Sequence, residues 1–214
     1  RTGAAILTSL FFSLIFGEII INSLSKFQPA GQPIRSDGPE THILQKAGTP
    51  TMGGVLIILS VLISLLLWSD LKNNYVWIGV FTIISFGTIG LIDDYKKIKL
   101  NSSSGLKRSI RVFFQIIICM IITYLIINNL NDNISTTISF PFFKNFIIDF
   151  GIFYLIIGIF IIIGSANSVN LTDGLDGLAI VPVMIVAMAF AFIAYVSGNL
   201  FFAKYLLINY IPGT

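Results

Sequence analysis

The chain has 214 residues, of which 55% are hydrophobic and only 11% charged, and its mean hydropathy is +0.90. A soluble domain carries about a quarter charged residues, so this composition excludes an ordinary soluble globule and points to a membrane protein. The net charge of +3 means little until the charges are placed on one side of a membrane or the other, and the single cysteine, Cys119, excludes an intrachain disulfide.

A membrane-spanning helix needs about 20 mostly apolar residues. Six runs meet that requirement within a few residues: Ala4–Leu24, Thr51–Trp68, Tyr75–Ile92, Ile110–Ile127, Phe150–Ala166 and Leu178–Val196. A seventh begins at Leu200 and is cut short at Pro212. Their length and lack of alternation argue against buried strands. Glu18 is the one charge inside the first run, and Cys119 packs inside the fourth. Between Asn128 and Asp149 the pattern changes, and Ile134 to Phe140 alternates as a short strand or hairpin outside the membrane would. The expected fold is an all-α integral membrane protein, a polytopic helix bundle forming one transmembrane domain over residues 1–214. The first residue is Arg1 and the last residues are Ile211-Pro212-Gly213-Thr214, so a piece of a longer chain is expected, with no cleavable signal peptide.

Orientation follows from Lys and Arg in the loops. Nine of the 13 basic residues lie in 25–50 and 93–111, loops of one parity, which places those loops in the cytoplasm. Parity puts Asn167–Gly177 on that same face. Acidic pairs at 93–94 and at 173 and 176 are therefore expected at one side of the membrane.

Asp93-Asp94-Tyr95-Lys96-Lys97 closes the third run. Adjacent helical residues point about 100° apart, so the two carboxylates cannot share one direction. Carboxylates beside lysines suit a Mg²⁺–phosphate site, whereas a solvated helix end is the plainer reading. Asn167-Ser168-Val169-Asn170-Leu171-Thr172-Asp173-Gly174-Leu175-Asp176-Gly177-Leu178 separates the fifth and sixth runs. On a helix Asn170, Asp173 and Asp176 share a face. A plain N-cap by Thr172 or Asp173 explains one carboxylate there but not two with two amides. Such a helix N-terminus would itself attract phosphate. Lys46-Ala47-Gly48-Thr49-Pro50-Thr51-Met52-Gly53-Gly54 enters the second run; Thr49 or Thr51 can cap it, and the paired glycines point to a close backbone approach. The lysine precedes the glycines, so this is no Walker A loop. His42, the only histidine, reads as a solvated loop residue, and the basic run from Lys96 to Arg111 as a topology signal or an anionic-lipid patch.

With these residues in hand the chain resembles the phospho-N-acetylmuramoyl-pentapeptide transferase (MraY) family of the polyprenyl-phosphate N-acetylhexosamine-1-phosphate transferases. Gly48 to Gly54, Gly90-Leu91-Ile92-Asp93-Asp94-Tyr95 and Asn167 to Ala179 carry the match; Asp37-Gly38-Pro39-Glu40 and Pro141-Phe142-Phe143-Lys144 add to it. The resemblance implies a bundle of ten helices, about seven of them present here, in the bacterial plasma membrane with a cytoplasmic cleft. It implies transfer of phospho-MurNAc-pentapeptide from UDP to undecaprenyl phosphate, giving lipid I and UMP, with Mg²⁺ as cofactor. Under it Asp93 is the aspartate that deprotonates the lipid phosphate, Asp94 its essential neighbour, and Asp173 a catalytic residue of the cleft, while the family's third catalytic aspartate lies beyond Thr214. Lys97 lies near the phosphates, Asp176 against uracil, and Lys46, Thr51 and Asn170 line the cleft. Asp93, Asp94 and Asp173 are the candidate metal ligands here, and the family's main ligand is expected beyond Thr214, so the piece alone should be inactive. Ser104-Gly105 stands where the family often has Lys-Gly. A sister transferase using UDP-GlcNAc is the nearest alternative, and a transporter the alternative from another class; acids at helix ends rather than at the midplane argue against transport. Partners are the two substrates, the bilayer and, as a candidate, a second copy of the chain; no nucleic acid is expected.

Overall fold

The computed structural model describes residues 1–28, 31, 50–101, 105–130, 135–140, 143–172, 178–206 and 208–212. Among them are seven helices and one two-stranded sheet: α1 (Thr2–Phe27), α2 (Gly54–Trp68), α3 (Asn74–Leu100), α4 (Arg108–Asn129), β1 (Thr137–Phe140), β2 (Phe143–Asp149), α5 (Phe153–Thr172), α6 (Ile180–Ser197) and α7 (Leu200–Leu206). Five helices, α1, α3, α4, α5 and α6, are long and apolar enough to cross a membrane. The chain is a polytopic all-α membrane protein, as its composition predicts. Many large apolar side chains on each of these five helices are exposed, which suits a protein whose surrounding solvent is lipid.

The contacts divide into two compact units. The first holds residues 1–72 and 79–114. In it α1 and α2 run antiparallel, with Gly17 beside Leu56 at one end and the Ser64 hydroxyl donating to the Ala5 carbonyl (2.6 Å) toward the other. Trp68 Nε1 donates to Thr8 Oγ1 (2.9 Å), so hydroxyls tie two apolar helices together where burial alone favours no partner over lipid. Ile58 of α2 lies against Gly87 of α3, so closely that a Cβ at Gly87 would fall 2.6 Å from Ile58 Cδ1. The second apolar run was expected to be helical from Thr51; helix begins only at Gly54, because Met52 adopts a left-handed φ of 70° that stops the helix from extending backwards. The Gly53-Gly54 pair serves no close approach among the described residues, since a Cβ at either would meet nothing within 4 Å. In the other direction α3 outlasts its apolar run by eight residues, from Ile92 to Leu100, and ends where Asn101 takes a left-handed φ of 49°.

The second unit holds residues 73–78 and 115–214. Gln115, Cys119, Ile122 and Thr123 are buried at i, i+4, i+7 and i+8 on α4, one face of a helix. Asn167 Nδ2 donates to Gln115 Oε1 (3.0 Å), and Gly158 of α5 gives room to Thr123. Cys119 packs there at 0% exposure, as its apolar surroundings predict. The expected hairpin is present: β1 and β2 pair antiparallel, Thr137 opposite Asp149, with an irregularity between Ser139 and Phe140. Asp149 closes it by accepting from the Thr136 hydroxyl (2.6 Å) and the Gly151 N–H (2.9 Å), two donors that hold its carboxyl below the usual carboxylate range. The run from Leu200 is helical only to Leu206.

Candidate active site

The chemistry-bearing residues of the first unit gather where α3 leaves its apolar run. Because the helix continues past Ile92, Asp93 and Asp94 each lie within one turn of Lys97, at i,i+4 and i,i+3. Lys97 Nζ stands 2.8 Å from Asp93 Oδ2 and 3.0 Å from Asp94 Oδ1. One ammonium thus bridges both acids, and beyond it they diverge as adjacent helical residues must.

Asp93 turns inward and is only 5% exposed. Its Oδ1 accepts from the Leu106 N–H (2.7 Å) and from Arg111 NH2 (2.6 Å). The turn that brings Leu106 there passes over Gly105, where any Cβ would overlap the Asp93 carboxylate: it would fall 2.6 Å from Cγ and 2.7 Å from Oδ2. Asp94 turns toward α2's entry and is 27% exposed at its side chain. Its Oδ2 accepts from the Thr51 hydroxyl (3.1 Å). Thr51 therefore does not cap α2, whose N-cap is Gly53 with no side-chain bond; the hydroxyl is spent on Asp94 instead. Gln28, 3% exposed at the end of α1, holds the Thr51 peptide from both sides: its Oε1 accepts from the Thr51 N–H (2.8 Å) and its Nε2 donates to the Thr51 carbonyl (3.3 Å).

Two carboxylates and two cations make a cluster that is neutral as a set. Every oxygen of Asp93 is already engaged, one by two donors and one by an ammonium. Among the described residues each oxygen of Asp94 carries a single donor, as Asp93 Oδ2 does, leaving acceptor capacity there. Mg²⁺ takes one or two carboxylates and fills its shell with water and phosphate oxygens. Asp94, the more exposed of the two, offers such an ion more room than Asp93, which is 5% exposed and has its Oδ1 doubly engaged. Among the described residues no three His, Cys, Asp or Glu side chains converge.

Of the other residues singled out in the sequence, Asn170 is exposed on the last turn of α5, in the second unit. Thr172, expected as a cap of the following helix, belongs to that same last turn and donates to the Ser168 carbonyl (2.9 Å). The following helix starts at Ile180 with Ala179 as N-cap and no side-chain capping bond. Lys46, Asp173 and Asp176 lie outside the described residues. Two members of the cluster are not expected in it from the sequence: Arg111 reads only as part of the basic run, and Gln28 has no assigned role. For Arg111 a signal exists: an arginine one residue into an apolar run needs an anion. For Gln28 none does.

Residues 76–212 match the family model described as "Glycosyl transferase family 4", a span that contains Asp93, Asp94 and Lys97. Residues 46–58 match "Phospho-N-acetylmuramoyl-pentapeptide-transferase signature 1", which contains Lys46 and Thr51. The chain is 51% identical over 214 residues to proteins named phospho-N-acetylmuramoyl-pentapeptide-transferase from Rickettsia prowazekii (strain Madrid E), Rickettsia felis (strain ATCC VR-1525 / URRWXCal2) and Rickettsia akari (strain Hartford). Each alignment covers 100% of this chain and 59% of the relative, so the chain spans a little over half the length of these curated relatives.

Proposed function

The chain belongs to glycosyl transferase family 4, and on that premise we propose that it forms part of a membrane phosphosugar transferase that moves phospho-MurNAc-pentapeptide from UDP to undecaprenyl phosphate. The observation that carries this reading is the Asp93–Lys97–Asp94 bridge with Arg111 and Thr51, set at the end of a spanning helix in a chain that holds the signature of these transferases.

The reaction forms a bond between an oxygen of the lipid phosphate and the phosphorus that bears the sugar. The bond from that phosphorus to UMP breaks, and UMP leaves with the electron pair. Little covalent work falls to the protein; positioning and charge neutralisation dominate. Lys97 and Arg111 supply the positive charge, and Asp93 fixes both cations to the helix end. Asp93 accepts from three donors, two of them on Oδ1, so Oδ2 is the oxygen that keeps a lone pair for a proton from the lipid phosphate. Asp94 keeps free acceptor capacity and is the described residue suited to hold Mg²⁺, which when bound supplies charge neutralisation at the phosphates. Lys46 and Asn170 are assigned to the nucleotide side of the cleft, Asp173 to the acids and Asp176 to uracil, by the resemblance alone. The concentration of basic residues in 25–50 and 93–111 supports a cytoplasmic active face in the bacterial plasma membrane.

The test uses the full-length protein in detergent with undecaprenyl phosphate, Mg²⁺ and either UDP-MurNAc-pentapeptide or UDP-GlcNAc. UMP release with the muramyl donor alone, lost in Asp94→Asn and Asp173→Asn and on chelation of Mg²⁺, is the expected result. Release with UDP-GlcNAc alone moves the assignment to the sister transferases. Folded protein that releases UMP from neither donor ends the transferase reading.

A further inference from the structure

We propose that Gln28 is a positioning residue of this site: it fixes the Thr51 peptide and, through the Thr51 hydroxyl, the direction of the Asp94 carboxylate. The proposal deepens the transferase reading above and rests on it for its kinetic half.

A glutamine at 3% exposure must have both ends of its carboxamide satisfied. Here both ends go to a single residue, the Oε1 to the Thr51 N–H and the Nε2 to the Thr51 carbonyl. This is the pairing a neighbouring strand would offer, supplied by one side chain. The clamp has a rigid base, because Gln28 closes α1 with its own N–H bonded to the Leu24 carbonyl (2.9 Å) and its carbonyl accepting from the Gly31 N–H (2.9 Å). It also has a job. The next residue, Met52, holds a left-handed φ of 70°, a conformation that costs free energy for a residue with a Cβ and persists only when its surroundings over-determine it. Pro50 on the other side offers no N–H, so on that side of Met52 the backbone grip falls on the Thr51 amide.

What the clamp delivers is the Thr51 hydroxyl. It is the donor on Asp94 Oδ2, while Lys97 occupies Oδ1. Without it the more exposed of the two carboxylates is held by Lys97 alone and can pivot about that one contact, so its open acceptor sites are no longer fixed in direction. The bonded path runs from α1 through Gln28, Thr51, Asp94, Lys97 and Asp93 to Arg111, all within one compact unit. A displacement of about 1 Å in such a group can lower turnover by up to about 10²-fold.

The experiment combines two readouts on the full-length protein. Hydrogen exchange at the Thr51 amide reports the clamp without any need for activity. Gln28→Met is expected to accelerate it at least about 10-fold, corresponding to the loss of a bond of order 1 kcal/mol or more, whereas Thr51→Val keeps the amide and its protection. Steady-state UMP release reports the consequence. Each single variant is expected to lower kcat about 10-fold with KM for the nucleotide donor within twofold, and the double variant to fall no further than the worse single. Unchanged exchange in Gln28→Met overturns the proposal, and so do losses that multiply in the double variant. If Gln28→Met does not fold, Gln28→Glu serves: it keeps an acceptor for the Thr51 N–H, so retained protection and the same non-multiplying kinetics are required of it. A wild type that releases UMP from neither donor ends the transferase reading, and the exchange result still decides the clamp.

Discussion

Gly105→Ala is the sharpest perturbation the geometry offers. The added Cβ would lie 2.6 Å from Asp93 Cγ and 2.7 Å from Oδ2, with Oδ1 nearer still. Asp93 is 5% exposed and has no open side to retreat to without releasing the Leu106 N–H or Arg111. Hydrogen bonds to a charged group are worth about 1.5–3 kcal/mol each. Arg111 is 27% exposed at its side chain, so solvent recovers part of its share. The expected destabilisation is about 2–4 kcal/mol, with a fall in kcat on the order of 10²-fold as the acid moves. Thermal unfolding in detergent and UMP release measure the two. The control is the same substitution beside Asp93→Ala, where the obstructing carboxylate is gone. There the Gly105→Ala penalty should shrink below about 1 kcal/mol, since a Gly→Ala change otherwise stiffens the unfolded chain in favour of folding. A Gly105→Ala protein with wild-type melting and turnover would refute the argument, as would a penalty that survives in the Asp93→Ala background.

Arg111→Met removes one of two cations on Asp93 and should cost about 1–3 kcal/mol by thermal unfolding, less than a fully buried pair because the guanidinium is partly solvated; Arg111→Lys should recover only part of it. In the second unit, Gly158→Ala puts a Cβ 2.8 Å from Thr123 Cγ2 and should cost about 1–3 kcal/mol, relieved when Thr123→Ala is added. Thr123→Val alone should be neutral or stabilising by about 1 kcal/mol in the same unfolding assay, because Thr123 Oγ1 is buried with no hydrogen-bond partner among the described residues and the swap keeps the shape.

Much of the helix order was legible because it depends on composition averaged over many residues. Phe/Ile/Leu runs of spanning length, broken by polar loops, leave a chain in lipid little choice but helix. Boundaries depend on single residues and were less legible. Nothing in Met52 announces a left-handed φ, so the second helix starts three residues late; nothing in the apolar count says that α3 should continue to Leu100, although Lys97 needs that continuation to reach both acids. The acids and their lysine could be read from the sequence, since i,i+3 and i,i+4 spacings are local. Arg111 as partner of Asp93 could not, because the two lie 18 positions apart with a turn over Gly105 between them. The Gln28 clamp joins residues 23 apart and leaves no pattern in the chain at all.

The shortness of α2 sets a depth. Fifteen residues rise about 22 Å, against a hydrocarbon core of about 30 Å. Paired antiparallel with the 26-residue α1, α2 cannot reach both surfaces of the bilayer. From Asn74 to Asp94, by contrast, α3 rises about 30 Å, one full core thickness, so the bond from Thr51 to Asp94 ties the entry of the short helix to the point where the long one has crossed.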